Sequence, residues 1–161
     1  MRMIAALLLV SALPACGLRP LYSGGSNGVV AQALSGVDVT PIDGKSGWLV
    51  HSALTDRLGG GGTKRYRLDV ELDDKIEGFG VRSDDAITRE RRTLRARYKL
   101  VDGSGNIVLD ATAGSDVGID VVSSEYAPIA AENTALERLS AIVADQIVAR
   151  IALFAERAPA R

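Results

Sequence analysis

Between residues 66 and 121, apolar and polar side chains alternate in successive stretches, and this alternation constrains the fold more than any other feature of the chain. A period of two places neighbouring side chains on opposite faces, so each stretch predicts a strand with one buried face. The inward positions are Tyr66, Leu68, Val70 and Leu72; Leu94, Ala96, Tyr98 and Leu100; Ile107, Leu109, Ala111 and Ala113; and, after a break, Val117, Ile119 and Val121. Turn residues at 102–106 predict a hairpin, and we interpret the polar residues 76–86 as a connection.

A short strand and a helix are predicted before this meander. Residues 37–42 favour a first strand, which we expect to end near Pro41 because proline cannot donate a ladder hydrogen bond. Ser46 is a suitable N-cap for a helix over residues 47–58, in which apolar side chains recur four residues apart. The run of glycines that follows this segment ends the helix.

A long helix is predicted over residues 126–156. Alanine-rich positions raise its helix propensity, and one apolar stripe is kept over several turns. The stripe consists of Leu136, Leu139, Val143, Ile147, Ile151 and Phe154. Both helices need an apolar surface to pack on, and the meander supplies one. We therefore predict an α+β fold: a single four-stranded, mostly antiparallel sheet with two helices packed on one face and a long C-terminal helix.

The N-terminal residues resemble an export signal that ends in a lipid attachment site. Arg2 precedes the apolar run 3–10, which is shorter than the ~20 residues that span a bilayer. Residues 13–16, Leu-Pro-Ala-Cys, resemble the lipobox that the lipoprotein signal peptidase cleaves before the cysteine. We therefore expect cleavage before Cys16 and lipidation of that residue. An ordinary signal peptide with a cysteine nearby is the alternative.

The cysteine count favours lipidation. Cys16 is the only cysteine, so it cannot form an internal disulfide, and lipidation explains its presence in an exported chain. Several acyl chains on one residue anchor a protein stably, whereas a single chain does not. The expected organisation is a signal peptide at 1–15, a lipidated flexible tether at 16–35, a single α+β domain at 36–157 and a disordered tail at 158–161.

Composition and motif patterns exclude several functional classes. The chain carries 19 Lys and Arg against 20 Asp and Glu, and only 4% of its residues are aromatic, so no nucleic-acid partner is expected. His51 is the only histidine, so we expect no zinc site. The glycine-rich residues 59–64 lack the order of a phosphate-binding P-loop. Trp48 is interpreted as a core or interface anchor. We expect no catalytic residue, no metal and no cofactor apart from the covalent lipid.

Two segments resemble a known family. Residues 16–22, Cys-Gly-Leu-Arg-Pro-Leu-Tyr, resemble the start of lipopolysaccharide-assembly lipoproteins of the LptE type, particularly the alphaproteobacterial members. Residues 131–132 and 144–147 are similar to the terminal helix of that family. The predicted order of strands and helices also agrees with the family's fold, in which two helices pack against a four-stranded sheet.

The resemblance implies a non-enzymatic role at the outer membrane. Proteins of this type sit inside the large LptD-type β-barrel that inserts lipopolysaccharide, act as its plug, assist its folding and can contact lipopolysaccharide. The implied partners are therefore this barrel, lipopolysaccharide and, through the lipid anchor, the membrane. Gly17 stands where aspartate would retain an enterobacterial lipoprotein, so by resemblance we expect an outer-membrane protein that faces the periplasm.

Basic side chains share the polar face of one predicted strand, namely Arg89, Arg91, Arg95, Arg97 and Lys99. Arginine forms bidentate hydrogen bonds with phosphate, which favours a contact with lipid A. Acidic side chains at 69, 71 and 73 could instead pair with the basic residues on a solvated face. A contact with polar residues of the partner barrel is a third interpretation. Arg91, Arg95 and Arg97 are the candidate ligands, chosen by their position on the strand.

Two other functions remain open. Auxiliary lipoproteins of ABC-type lipid transport systems also join a lipobox to a small α+β domain with a long final helix. A lipid-tethered periplasmic hydrolase is the other alternative, and it would need a buried cluster of polar residues, for which the sequence gives no sign.

Overall fold

The computed structural model describes residues 28–81, 87–121 and 126–157. The predicted signal peptide, Cys16 and the predicted tail lie outside the described residues, as does most of the predicted tether. The elements follow in the order α1 (Val29–Ser35), β1 (Val37–Val39), α2 (Gly44–Leu58), β2 (Tyr66–Val81), β3 (Ile87–Asp102), β4 (Ile107–Asp120) and α3 (Ala127–Arg157).

The strands form one mixed sheet in the order β1-β2-β3-β4. β1 and β2 are parallel because α2 connects them as a crossover, and the two remaining strand pairs are antiparallel. The predicted α+β class, with a mostly antiparallel sheet and a long C-terminal helix, is confirmed. The described residues contain three helices, one more than the sequence pattern predicted.

The central strands are longer than predicted. β2 runs to Val81, so the prediction of a connection at residues 76–86 is wrong for its first part. β4 likewise continues without a break through residues 114–116. The extension of β2 is hidden in the sequence because charged side chains, Asp74 on β2 and Arg92 on β3, occupy inward positions and pair with each other.

Residues 29–35 form α1, so the prediction of a flexible tether up to residue 35 is wrong for this part. Val30 and Leu34 of α1 are buried in the core, and the helix packs against α3. A helix this short is unstable alone, and burial of a large aliphatic side chain contributes about 1.5–3 kcal/mol. Tertiary packing, rather than local propensity, therefore stabilises α1.

The helices cover the face of the sheet that the alternation predicted as apolar. Leu54 of α2, Leu94 and Leu100 of β3, and Leu139 of α3 are fully buried in one core. α3 packs along β3 and β4, while α2 lies over β1 and β2. Arg57 of α2 forms an ion pair with Asp145 of α3, which joins the two helices at the surface.

The predicted hairpin between β3 and β4 is confirmed. The backbone N–H of Asp102 donates to the carbonyl of Asn106 at 2.9 Å, and the N–H of Gly105 donates to the carbonyl of Asp102 at 3.0 Å. Hydrogen bonds from the backbone and side chain of Asn106 lower the pKa of the Asp102 carboxyl. Ile107, predicted to point inward, is 55% exposed, because a register shift beside Val101 places it on the opposite face.

The start of α2 differs from the prediction, and its glycine is tightly packed. Asp43, rather than Ser46, is the N-cap residue, so the helix begins about one turn earlier. The predicted end is confirmed, since Gly59 follows the helix with a left-handed φ of 72°. A Cβ added at Gly47 would overlap the backbone carbonyl of Ile42.

Replacing Gly47 by alanine is expected to lower the free energy of unfolding by about 1–3 kcal/mol, because the added methyl group meets backbone that cannot rotate away. Urea unfolding followed by circular dichroism measures the change. Gly118→Ala is the control, since a Cβ there meets nothing within 4 Å. Equal stability of the Gly47 variant and the wild-type protein would contradict this close packing.

Candidate interaction face of the sheet

The face of the sheet opposite the helices, called the outer face from here on, carries charged side chains in columns. The register aligns a mostly acidic column on β2 with a basic column on β3 and an acidic column on β4. The β2 column contains Asp69, Glu71, Asp73 and Glu77 with Arg67 and Lys75 among them, the β3 column Arg89, Arg91, Arg95, Arg97 and Lys99, and the β4 column Asp110, Asp116 and Asp120. No described helix covers this face.

Arg95 and Arg97 lie at the centre of the outer face without a described partner. In the register they stand opposite Asp73 and Glu71, yet neither guanidinium has an ion pair or hydrogen bond with any residue that the structure describes. Both arginines line a depression of about 590 Å³, whose lining also includes Thr112 and the carboxylate residues Glu71, Asp73 and Asp116. Their donors are therefore available to an anionic or carbonyl oxygen of a bound molecule.

Arg91 is held differently from the other two candidate ligands. Its Nε lies 3.7 Å from a carboxylate oxygen of Asp116, and its guanidinium lies 5.2 Å from the centre of the Phe79 ring. It does not line the depression. The structure thus brings Arg95 and Arg97 together and leaves Arg91 beside them. The role of all three as ligands stays a prediction.

On the outer face, Asp69 and Asp73 of β2 pair along their own strand rather than across to β3. Arg67 bonds Asp69 at 3.1 Å, and Lys75 bonds Asp73 at 3.1 Å. Near the start of β3, Arg89 pairs with Asp120 of β4 at 2.9 Å. The interpretation of a self-paired, solvated face therefore fits the margins of the outer face and not its centre.

Arg92 forms a largely buried clamp on the inner face that the sequence pattern did not reveal. Its Nε and Nη2 donate to the two carboxylate oxygens of Asp74 at 2.9 and 2.7 Å, and its Nη1 donates to the carbonyl of Glu132 in α3 at 2.9 Å. The Arg92 and Asp74 side chains are only 11% and 20% exposed. The clamp ties the first turns of α3 to the sheet. The sequence signal that could have revealed the clamp is the presence of opposite charges, Asp74 and Arg92, at inward positions of neighbouring strands.

Three further observations concern the described residues. None of the helices in residues 28–81, 87–121 and 126–157 is both long and apolar enough to cross a membrane. The same residues contain no group of three or more His, Cys, Asp or Glu side chains placed to hold a metal ion. Trp48 is 68% exposed, so the prediction that it is a core residue is wrong. The alternative prediction, that it is an interface anchor, stays a prediction.

These features define a class of protein: a small α+β domain with helices on one face of its sheet and a charged, uncovered surface on the other. The model of the LptE family, described as lipopolysaccharide-assembly, matches residues 34–151. This match spans most of the chain. The chain therefore belongs to the LptE lipopolysaccharide-assembly family.

Solved structures share this architecture. A candidate lipoprotein from Caulobacter crescentus CB15 is 27% identical with a TM-score of 0.68, over 83% of this chain and 100% of that chain. A minor lipoprotein from Acinetobacter baumannii (14% identical, TM-score 0.61, 74% and 92% covered) and the rare lipoprotein B from Shewanella oneidensis (9% identical, TM-score 0.56, 73% and 93% covered) show the same fold. No curated protein matches the chain.

Proposed function

We propose that this chain is a non-enzymatic, lipid-anchored subunit of the outer-membrane lipopolysaccharide translocon, where it plugs a large LptD-type β-barrel and helps it to assemble. Membership of the lipopolysaccharide-assembly family supports the pathway. The lipobox-like residues 13–16 support an anchor on Cys16. The observation that carries the proposal is the outer face, an uncovered charged surface with the unpartnered Arg95 and Arg97 at its centre.

The chemistry of the outer face suits the inside of a barrel. The lumen of an outer-membrane barrel is polar, so a sheet face with columns of opposite charge can dock there by electrostatic complementarity. Arg95 and Arg97 offer forked donors for anionic oxygens, whether carboxylates of the barrel or phosphates of lipid A. The apolar face cannot serve this purpose because the helices already cover it.

Photocrosslinking from the outer face tests this proposal. A photoreactive amino acid at Thr112, which is exposed and borders the depression, is expected to crosslink to the barrel or to lipopolysaccharide in intact cells. Glu137, exposed on α3, is the control position and is expected to give little of either product. Equal products from both positions would contradict a specific role for the outer face. Capture of inner-membrane transporter subunits at Thr112 would instead support the ABC-type alternative.

Charge reversal at the centre of the face is expected to weaken the same contact. The double variant Arg95→Glu, Arg97→Glu should lower the yield of the Thr112 crosslink about tenfold, since a hydrogen bond to a charged group contributes roughly 1.5–3 kcal/mol. The matched control is Arg138→Glu, Arg157→Glu, which reverses two exposed charges on α3. An unchanged crosslink yield in the outer-face variant would remove these two arginines from the contact.

A further inference from the structure

β2 leaves a long stretch of its backbone open beside the short β1. β1 pairs with β2 only from Tyr66 to Leu68. The N–H of Tyr66 donates to the carbonyl of Gly36 at 3.1 Å, and the carbonyl of Leu68 accepts from Thr40 at 3.0 Å, so even-numbered β2 residues direct their backbone groups to this side. The same alternation directs the groups of Val70, Leu72, Asp74, Ile76 and Gly78 to the edge, where no described strand pairs with them.

The opposite edge of the sheet is closed at its centre. The side-chain amide of Gln146 in α3 accepts from the N–H of Gly114 at 3.0 Å and donates to its carbonyl at 3.3 Å. The Gln146 amide thus makes the two hydrogen bonds with Gly114 of β4 that the backbone of a neighbouring strand would otherwise make. An added strand would have to displace it, so β4 is the less accessible edge.

Charged side chains such as Lys75 are the main protection that the described part of β2 carries against pairing at its edge, and other usual devices are missing. The strand contains no proline, and its pairing with β3 shows no bulge from Tyr66 to Phe79. An inward charge, another common protection, is present at Asp74, but Arg92 neutralises it. The edge from Val70 to Gly78 is therefore a template for a further strand.

The charged side chains beside this edge favour a partner strand of particular charge. Going from β4 to β2, the columns of the outer face are acidic, basic and mostly acidic. Along the open edge Lys75 is paired with Asp73, which leaves Glu71 and Glu77 as the acidic side chains without a described ion pair. Opposite charges on neighbouring strands stabilise pairing, and like charges destabilise it. We propose that the β2 edge binds an extended segment of a partner protein by strand addition, and that this segment alternates Lys or Arg on the outer face with apolar side chains on the inner face.

A second copy of this chain is a poor occupant of the edge. Pairing of two β2 edges would place two mostly acidic columns against each other, and repulsion among their unpaired carboxylates at Glu71 and Glu77 disfavours it. The inner positions of a basic partner strand would instead meet Leu72 and Ile76, of which Ile76 is 42% exposed. Strand addition at this edge is independent of what Arg95 and Arg97 bind.

Hydrogen exchange with two defined peptides tests the proposal. The mature, lipidated protein in non-ionic detergent is mixed with a short peptide that alternates lysine with valine, or with its counterpart that alternates glutamate with valine. The lysine peptide is expected to slow exchange of the amides of Val70, Leu72 and Ile76 without changing those of β4. The glutamate peptide is expected to bind at least about fivefold more weakly.

Two variants separate backbone pairing from charge. Ile76→Pro removes one edge N–H without touching the ladder to β3, and is expected to weaken the lysine peptide about fivefold, while Ile76→Thr keeps the N–H and the affinity. The double variant Glu71→Gln, Glu77→Gln keeps the backbone groups and is expected to abolish the preference for the lysine peptide over the glutamate peptide. If the proline variant does not fold, this double variant tests the proposal instead. Protection of β4 instead of β2, equal binding of both peptides to the wild-type protein, or full binding by a folded Ile76→Pro variant would overturn the proposal.

Discussion

Replacing Arg92 by alanine is expected to lower the free energy of unfolding by about 3 kcal/mol. The substitution leaves the Asp74 carboxylate largely buried without its counter-ion and removes the hydrogen bond to the Glu132 carbonyl. Removing one partner of a buried ion pair typically costs about 3–5 kcal/mol, and the residual exposure of this pair places it at the lower end. Chemical unfolding followed by circular dichroism measures the loss.

Arg91→Ala is the matched control for this variant. Arg91 is the preceding residue, points to the outer face and is 55% exposed, so its ion pair with Asp116 should contribute no more than about 1 kcal/mol. The double variant Arg92→Leu, Asp74→Leu should recover most of the stability, because an apolar pair needs no counter-ion. Equal losses from Arg91→Ala and Arg92→Ala would show that the clamp does not stabilise the fold.

Replacing Cys16 by serine, in a chain exported with an ordinary cleavable signal peptide, is expected to abolish stable membrane attachment. Each buried CH₂ of an acyl chain contributes about 0.8 kcal/mol, and two or more chains together give stable anchoring. The purified wild-type protein should therefore co-sediment almost completely with phospholipid vesicles, and the variant should remain in the supernatant.

Two further observations make this result specific to the lipid. Metabolic labelling with a palmitate analogue should mark the wild-type protein and not the variant. Circular dichroism should show the same folded domain in both, because the described helices and strands that form the core all lie within residues 29–157. Co-sedimentation of the unlabelled variant with vesicles would mean that another surface, and not Cys16, attaches the protein to membranes.

The sheet and its core could be predicted from the sequence because alternation is a local property. Leu68, Leu94 and Leu100 occupy inward positions by a period of two, and all three are fully buried. The long final helix was predictable for the same reason, since Leu139 and Ile147 lie on one stripe at helical spacing and both are buried.

The ends of the strands and α1 could not be predicted because their stability depends on distant residues. Asp74 and Arg92 interrupt the apolar pattern of their strands, and only the cross-strand register shows that they satisfy each other. α1 buries only Val30 and Leu34, which is too few positions to show a helical period. α1 is stable because it packs against α3, which helps to bury these two side chains.

The outer face was predictable in its composition but not in its pairing. Alternation placed Arg91, Arg95 and Arg97 on one face, and the register confirms that they share it. Which arginine is free depends on side-chain geometry: Asp73 bonds Lys75 of its own strand and leaves Arg95 without a described partner, whereas Arg91 reaches Asp116.

A pull-down in mild detergent tests the central claim most directly. The tagged, lipidated protein is purified from outer membranes, and the proteins that accompany it are identified and quantified by mass spectrometry. We expect a large outer-membrane β-barrel in near-equal amount, and less of it with the Arg95→Glu, Arg97→Glu variant. Recovery of inner-membrane transporter subunits, or of no barrel at all, would contradict a role as a plug of the lipopolysaccharide translocon.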